Sequence, residues 1–491
     1  MSLRTLLVDT PEAVIDGNQD LPISGIECDP RRVGEGDLFV AIRGGEQLDR
    51  HEFVADAERR GAPAVVIEDE TVQTKMATRV VVGDCRMALA RLAARFYGYP
   101  AKALCMVGLT GTNGKTTTAL LVREILQAAG RPCGYLGTLG ALDQRGAWVD
   151  MPNTTPEASD LHQHLHSLSA NGSEAVAMEV SSHALALNRV EGIEFEAAVF
   201  TNLTRDHLEF HGTEQAYFDS KARLFEQVVE SSSPNCAINT DDETGHLLAG
   251  RLGSRVLTFG GGDRADVRWV GGDIGAKSST LQFTTPRGSL CVHSWLTGRF
   301  NCANVMAAVA CGLALEVEDD AIARGIAAVA GVPGRFERVD EGQSFEVIVD
   351  YAHTPAGLEN ILHSARELSK GKLICLFGCG GDRDRGKRAL MGQAAEHLAD
   401  LVFVTSDNPR SELPEKIIDD ILAGMSSPAA VEIQADRRVA IAQALRTAEA
   451  GDVVVLAGKG DEAYQVLADE VIEFDDRAVA REALRAIAET R

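Results

Sequence analysis

The chain is short of positive charge. Its 48 Lys and Arg face 72 Asp and Glu in 491 residues, a net charge of −24. That excess argues against non-specific nucleic-acid binding and against a polybasic membrane contact. An anionic ligand must therefore be held locally, by Arg, Lys, helix ends or Mg²⁺. The sequence also lacks an apolar run of transmembrane length, so no membrane insertion is expected. Its first residues, Met1 to Asp9, hold too short an apolar segment for a signal peptide. The ten Cys form no C-x-x-C and no paired framework, as expected of thiols in a reducing compartment. The expected location is the cytoplasm. There is no internal repeat and no low-complexity segment, and the length suits two to four domains.

What is present centres on Gly108-Leu-Thr-Gly-Thr-Asn-Gly-Lys-Thr-Thr-Thr118. The apolar run Ala103 to Val107 reads as a buried strand, and Thr116 to Ala129 as a helix ended by Gly130. A glycine-rich turn between them can close backbone N–H groups on phosphate oxygens. The helix N-terminus adds positive potential, Lys115 a point charge and Thr116 a hydroxyl for Mg²⁺. Leu109 stands where the standard loop has its first glycine, so this is a P-loop variant.

Along the chain, residues 1–98 read as a small α/β unit. Its strands are expected at Gly36–Ile42, Ala64–Glu68 and Arg79–Val82, and its helices at Phe53–Arg60 and Met87–Phe96. Residues 99–330 read as a P-loop unit with a doubly wound, mostly parallel sheet. It carries strands at Ala175–Val180 and Ala197–Thr201, and a small antiparallel patch at Val256–Phe259, Leu281–Thr284 and Leu290–His293. A strongly apolar helix covers Ala303–Leu315. Gly331-Val-Pro-Gly-Arg335 reads as a hinge. Residues 331–491 read as a Rossmann-like α/β domain, with strands at Glu346–Val349, Lys372–Phe377, Leu401–Thr405 and Asp452–Leu456.

In α/β sheets, ligands sit beyond the carboxyl ends of strands. Glu179-Val-Ser-Ser-His183 and Asn202-Leu-Thr-Arg-Asp-His207 fall there. A carboxylate and an imidazole so placed could hold Mg²⁺ against nucleotide phosphates. With the P-loop, these motifs resemble the Mur ligase family, ATP-dependent enzymes that add amino acids to the UDP-muramoyl peptide precursor of peptidoglycan. Gly298-Arg-Phe-Asn-Cys-Ala-Asn304, Gly334-Arg-Phe-Glu337 and Val349-Asp-Tyr-Ala-His-Thr-Pro355 extend the resemblance. So do Gly378 to Arg388, Asp407-Asn-Pro-Arg410 and Gly458-Lys-Gly-Asp-Glu462.

The resemblance implies three domains: UDP-binding, central ATPase, and a C-terminal Rossmann-like domain. It implies that Gly111, Thr112, Asn113, Gly114, Lys115, Thr116 and Thr117 hold the ATP phosphates. Asn301 and Asn304 would meet the adenine side, and Arg335 and Asp350 would reach ATP from the C-terminal domain. Thr116, Glu179 and His207 would ligate Mg²⁺. Lys221 matches a family lysine that carries a carbamate (N6-carboxylysine) and would help seat a second Mg²⁺; its local pattern alone reads as a solvated surface charge. Lys115, Lys221 and His207 are thus the expected catalytic residues. Asn153, Thr154, Thr155, Ser181 and Arg189 match positions that grip the muramoyl peptide.

The motifs Val349–Pro355, Gly378–Arg388, Asp407–Arg410 and Gly458–Glu462 imply addition of meso-2,6-diaminopimelate to the D-Glu carboxylate of UDP-MurNAc-L-Ala-D-Glu through an acyl phosphate; a monomer is expected. Diaminopimelate differs from lysine by one distal carboxylate, which the planar fork of Arg410 can bind. Asp407, Asn408, Pro409, Arg383, Gly458 and Glu462 would complete that pocket, Glu462 facing the distal ammonium. Departures from the family pattern are Pro30 in Asp29-Pro-Arg31, the stretch Gly44-Gly-Glu-Gln47, Leu187, and Asp461 where a His is usual. The alternatives are a related ligase using another amino acid such as L-lysine, a relative of the folylpolyglutamate or cyanophycin synthetases, and a regulatory P-loop NTPase.

Overall fold

The computed structural model describes residues 1–44, 48–75, 77–230, 233–275, 277–426 and 431–490. The divergent residues Gly45, Glu46 and Gln47 lie outside them. The chain forms two compact units. The first holds Met1–Thr110, Ala129–Val199 and Ser220–Cys236; the second holds Gly111–Ala128, Phe200–Asp219 and Ala237–Arg491.

In the first unit, a five-stranded sheet is built from the N-terminal residues. Val14–Asp16 pairs antiparallel with Thr78–Val81, followed in parallel by Ala64–Ile67, Asp37–Val40 and Gly25–Glu27. The strand Ala64–Ile67 is buried on both faces, which is why it reads as an unbroken apolar run. Helix Cys85–Phe96 is capped by Asp84, whose carboxylate accepts from the Arg86 and Met87 amides, and its Leu89 and Leu92 enter one core. Later in this unit, Cys133–Gly137, Ala175–Glu179 and Cys105–Thr110 run parallel. The strand Cys105–Thr110 extends three residues past the expected Val107, because Gly108 and Leu109 are buried ladder residues rather than turn.

The second unit opens with helix Lys115–Ala128, which follows the loop directly. The expected antiparallel patch needs correcting. Val256–Gly260 pairs in parallel, with Val267–Ile274, a strand that had no sequence assignment. Only Val267–Ile274, Ser279–Thr285 and Gly288–Ser294 form the antiparallel meander. Gly271 and Gly272 interrupt the alternation of Val267–Ile274, and its register shifts between Trp269 and Gly271. The C-terminal sheet runs Glu337–Arg338, Glu346–Asp350, Val453–Ala457, Leu373–Phe377, Leu401–Val404, Val431–Ile433, and only the first strand is antiparallel. Two apolar cores cover its faces. Among the described residues, no helix is long and apolar enough to cross a membrane.

Candidate active site

The glycine-rich loop is held by its own unit. Gly111 (φ +149°) and Gly114 (φ +86°) adopt backbone conformations that side chains disfavour. A Cβ on Gly111 would lie 1.9 Å from Thr201 Oγ1, and one on Gly114 would lie 2.3 Å from Asn304 Oδ1. The amide of Asn113 donates to Asn202 Oδ1 at 2.9 Å, and Thr201 Oγ1 and Asn202 Nδ2 donate to the Asn113 carbonyl at 2.6 and 3.1 Å. The Thr112 hydroxyl lies 3.1 Å from the Tyr217 hydroxyl and accepts from the Thr204 amide at 2.9 Å. Lys115 Nζ donates to the carbonyls of Gly111 and Thr112 at 2.9 and 3.0 Å. The ammonium is thus folded over the loop at the first residue of a 14-residue helix, where the dipole favours an anion. Thr116 and Thr117 are buried behind it. Asn304 donates to Asn301, and Asn301 to the Thr297 carbonyl, so this pair is fixed beside Gly114.

The Asn202–His207 segment continues from this loop. Asp206 is only 4% exposed and receives His207 Nε2 at 3.3 Å, His353 Nε2 at 3.6 Å and Lys387 Nζ at 3.8 Å. Burial pushes its carboxyl up, but His353, His207 and Lys387 outweigh that and hold it well below the usual carboxylate range. His207 sits at φ 54° and caps the short helix after it.

A second group gathers at the carboxyl ends of the C-terminal strands. Arg410 (φ 53°) is half-buried and donates to the Gly381 carbonyl at 2.8 Å. Burial and the neighbouring Arg383 both lower its pKa, so two guanidiniums repel across this space. Arg383 donates to the Asp382 carbonyl. Asn408 donates to Glu462 Oε2 at 2.8 Å, and its Oδ1 accepts from Lys459 Nζ at 3.2 Å and the Val466 amide at 3.0 Å. Lys459 also meets Glu462 Oε2 at 3.2 Å. Burial first, then Asp407, pushes the Glu462 carboxyl up. Gly458 (φ +116°) leaves room for Asp407, whose Oδ2 would lie 2.6 Å from a Cβ there. Pro409 turns the chain so that Gly381 can pack on its carbonyl.

The family model for the Mur ligase middle domain matches residues 109–312. That for the Mur ligase glutamate ligase domain matches 334–460, and that for the Mur ligase family catalytic domain matches 22–97. The chain belongs to the Mur ligase family. It is 46% identical over 466 residues, 94% of each chain, to a Solibacter usitatus protein named UDP-N-acetylmuramoyl-L-alanyl-D-glutamate–2,6-diaminopimelate ligase. It is 44% identical to a Syntrophomonas wolfei protein of the same name, over 99% of each chain. A solved structure of an enzyme with that name matches at 32% identity and TM-score 0.66, covering 99% of both chains. The MurF ligase of Thermotoga maritima, solved with ADP, shares the fold at 21% identity and TM-score 0.65, covering 96% of this chain and 99% of its own. This Mur ligase has the mixed α/β fold with N-terminal, central and C-terminal domains.

The remaining expected residues of this Mur ligase lie as follows. Glu179 is fully buried, and its Oε1 accepts from the Tyr135 hydroxyl at 2.5 Å and the Thr138 amide at 3.0 Å. The Thr138 hydroxyl reaches Glu179 Oε2 at 3.2 Å and Thr154 Oγ1 at 3.0 Å. Thr155 Oγ1 donates to the Glu179 carbonyl and accepts from the Ser181 amide. Arg189 donates to the Thr155 carbonyl and to Glu157. Thr154, Thr155, Glu179, Ser181 and Arg189 thus form one network, with Asn153 exposed at its edge. Lys221 corrects the surface-charge expectation: it is 1% exposed. A buried lysine is uncommon and costly unless its head group is compensated.

In the C-terminal half, Asp350 faces its own turn, accepting from the Phe336 and Ala352 amides at 2.7 and 2.8 Å. Arg335 lies over the Tyr351 ring at 4.2 Å and pairs with Asp461 at 2.9 Å, which gives the departing residue a definite partner.

Three participants escaped the sequence reading. Lys459 looked like part of a glycine turn, yet it is buried on Asn408 and Glu462. Tyr135 lies in an apolar strand and carried no signal. Arg437 is wholly buried, doubly paired with Asp476 at 2.8 and 2.6 Å, and donates to the Ala457 carbonyl at 3.0 Å just before Gly458. A lone Arg at a helix start gives no hint of that.

Proposed function

We propose that this Mur ligase is an ATP-dependent enzyme that joins meso-2,6-diaminopimelate to the D-Glu carboxylate of UDP-MurNAc-L-Ala-D-Glu. The observation that carries the reading is Arg410 with Arg383 beside it, in a chain 46% and 44% identical to ligases named for that reaction. A half-buried guanidinium, Arg410, repelled by the exposed Arg383 beside it favours a carboxylate between them. Diaminopimelate has a distal carboxylate to offer, and lysine has only an ammonium. Glu462, whose Oε2 already binds Lys459 and Asn408, is oriented to take the distal ammonium.

ATP is the second substrate. The loop amides and Lys115 would hold its phosphates, with Asn301 and Asn304 on the adenine side and Arg335 and Asp350 meeting it from the C-terminal half. The D-glutamyl carboxylate attacks the γ-phosphate, ADP leaves, and the amine of diaminopimelate displaces phosphate from the acyl carbon. Positioning and charge neutralisation supply most of the rate. Thr116, Glu179 and His207 offer the hard oxygen and nitrogen donors that suit Mg²⁺, and Glu179 is a buried carboxylate fixed by Tyr135 and Thr138. Bound Mg²⁺ would neutralise phosphate charge. Burial of Lys221 fits reaction of its neutral amine with CO₂ to a carbamate, with release of one proton, as a further anionic ligand. Thr154, Thr155, Ser181 and Arg189, with Asn153, would grip the muramoyl peptide. The enzyme is read as a cytoplasmic monomer with domains at 1–98, 99–330 and 331–491.

Phosphate release tests the reading. It should require both UDP-MurNAc-L-Ala-D-Glu and an amino acid, with diaminopimelate strongly preferred to lysine. Equal release without acceptor would refute a ligase, and preference for lysine would refute the role of Arg410.

A further inference from the structure

Arg205 and Asp206 are adjacent residues of opposite charge, and each meets its opposite on one short C-terminal segment. Arg205 Nε pairs with Asp384 Oδ2 at 3.3 Å, and Asp206 Oδ1 pairs with Lys387 Nζ at 3.8 Å. His353 Nε2 adds a third contact, 3.6 Å from Asp206 Oδ2. Asp206 and Lys387 are both buried, whereas the Arg205 side chain is 42% exposed. Between Asp384 and Lys387 lies Gly386, where a Cβ would stand 2.6 Å from Arg205 NH2. The missing side chain is the space the guanidinium uses.

The two ends of this arrangement reach the two sites already described. On one side, Asn202 and Thr204 of the same segment bond Asn113 and Thr112 of the phosphate-type loop. On the other, Asp384 follows Arg383 directly. Arg388, next after Lys387, is wholly buried on Glu412 and the Gly380 carbonyl beside Arg410. Arg205 and Asp206 on one segment, with Asp384 and Lys387 on the other, therefore link the loop to the pocket through two pairs of opposite polarity. The pairs fix register, because a shift of one residue would set Arg205 against Arg383 or Arg385.

We propose that Arg205 and Asp206 are positioning residues that couple the phosphate-type loop to the amino-acid pocket, by reciprocal pairing with Asp384 and with Lys387 and His353. The inference rests on the ligase reading above. Asp206 also holds His207, so the same contact that docks the C-terminal segment aims the imidazole.

The test combines kinetics with hydrogen exchange on the full chain. Asp206→Asn should raise the KM for diaminopimelate about tenfold or more, and Arg205→Glu, whose side chain pairs with Asp384 and not with His207, should leave ATP affinity measured without amino acid within about twofold. Exchange of amides in 380–390 should quicken in Asp206→Asn. The Arg205–Asp384 pair, whose guanidinium is 42% exposed and whose carboxylate is 10% exposed, gives a second arm read by charge exchange. Arg205→Glu and Asp384→Arg should each raise that KM about threefold, and the double variant should return it to near wild type. Additive losses in the double variant, or unchanged exchange in 380–390, would overturn the coupling. A wild-type chain that shows no acceptor-dependent phosphate release would instead overturn the ligase reading and leave the exchange result to judge the docking alone.

Discussion

The loop at Gly111–Lys115 and the pocket around Arg410 both suit an anion, and they are built by opposite means. The loop uses backbone. Its glycines are forced by Thr201 and Asn304, and its one charge, Lys115, is folded onto loop carbonyls. The pocket uses side-chain charge in partial burial. Arg410 and Arg383 repel, Glu462 is pushed toward neutrality, and Lys459 is buried against it. A backbone cradle accepts any phosphate of the right shape. Charges placed at a cost in burial respond to the exact set of groups on the ligand, so selectivity belongs in the pocket.

That contrast breaks first at the glycines. Gly114→Ala puts a Cβ 2.3 Å from Asn304 Oδ1 at φ +86°. We expect nucleotide affinity, read by calorimetry, to fall about 100-fold with the amino-acid pocket intact. A fall below threefold would mean that the loop is not backbone-limited. Next comes the pocket. Arg410→Lys keeps the charge but loses the planar fork, and should raise the KM for diaminopimelate by about 30- to 100-fold while ATP binding holds. The pocket should also be pH-sensitive in a way the loop is not. The Glu462 carboxyl lies above its ordinary range, so its charged form is lost at a higher pH than usual as pH falls. Affinity for the amino acid's ammonium should drop through that range, and Glu462→Gln should flatten the profile.

The same contrast explains what was legible in the sequence. Backbone devices leave punctuation: the Gly111 and Gly114 spacing, the strand before them and the helix after them were all readable, to within a few residues at each end. The C-terminal strands were readable because parallel strands buried on both faces are continuous apolar runs. The strand Val267–Ile274 was not, because Gly271 and Gly272 dilute its pattern and only Val267 of it is fully buried. Buried charges leave no local pattern at all. Lys221, Lys459 and Arg437 are defined by partners or surroundings brought by the fold, and Lys221 read as a surface residue until its 1% exposure was seen. The resemblance to Mur ligases supplied roles that residue spacing could not.

A smaller effect lies where the two styles meet. Asp461 stands at the pocket's edge, yet its carboxylate pairs with Arg335, a residue proposed to reach ATP. Arg335 is thereby neutralised within the protein. Asp461→Asn should free the guanidinium and tighten ATP binding about fivefold, near 1 kcal/mol, with diaminopimelate affinity unchanged. Weaker ATP binding would mean that Asp461 positions Arg335 rather than competes for it.

The smallest effect comes from burial without a ligand to serve. His162 is 1% exposed in helix Ala158–Ala170, and burial lowers its pKa from 6.5 to about 4. The sign follows from which state takes the proton first. The unfolded chain protonates His162 near its ordinary value, and the folded chain only near 4, so stability is full above the ordinary value and is lost as pH falls between them. The loss should be about 1 kcal/mol by pH 6. His162→Leu should remove that part of the pH dependence without touching either site. If denaturant midpoints of the wild type and His162→Leu shift in parallel between pH 7.5 and 6, the lowered pKa is refuted.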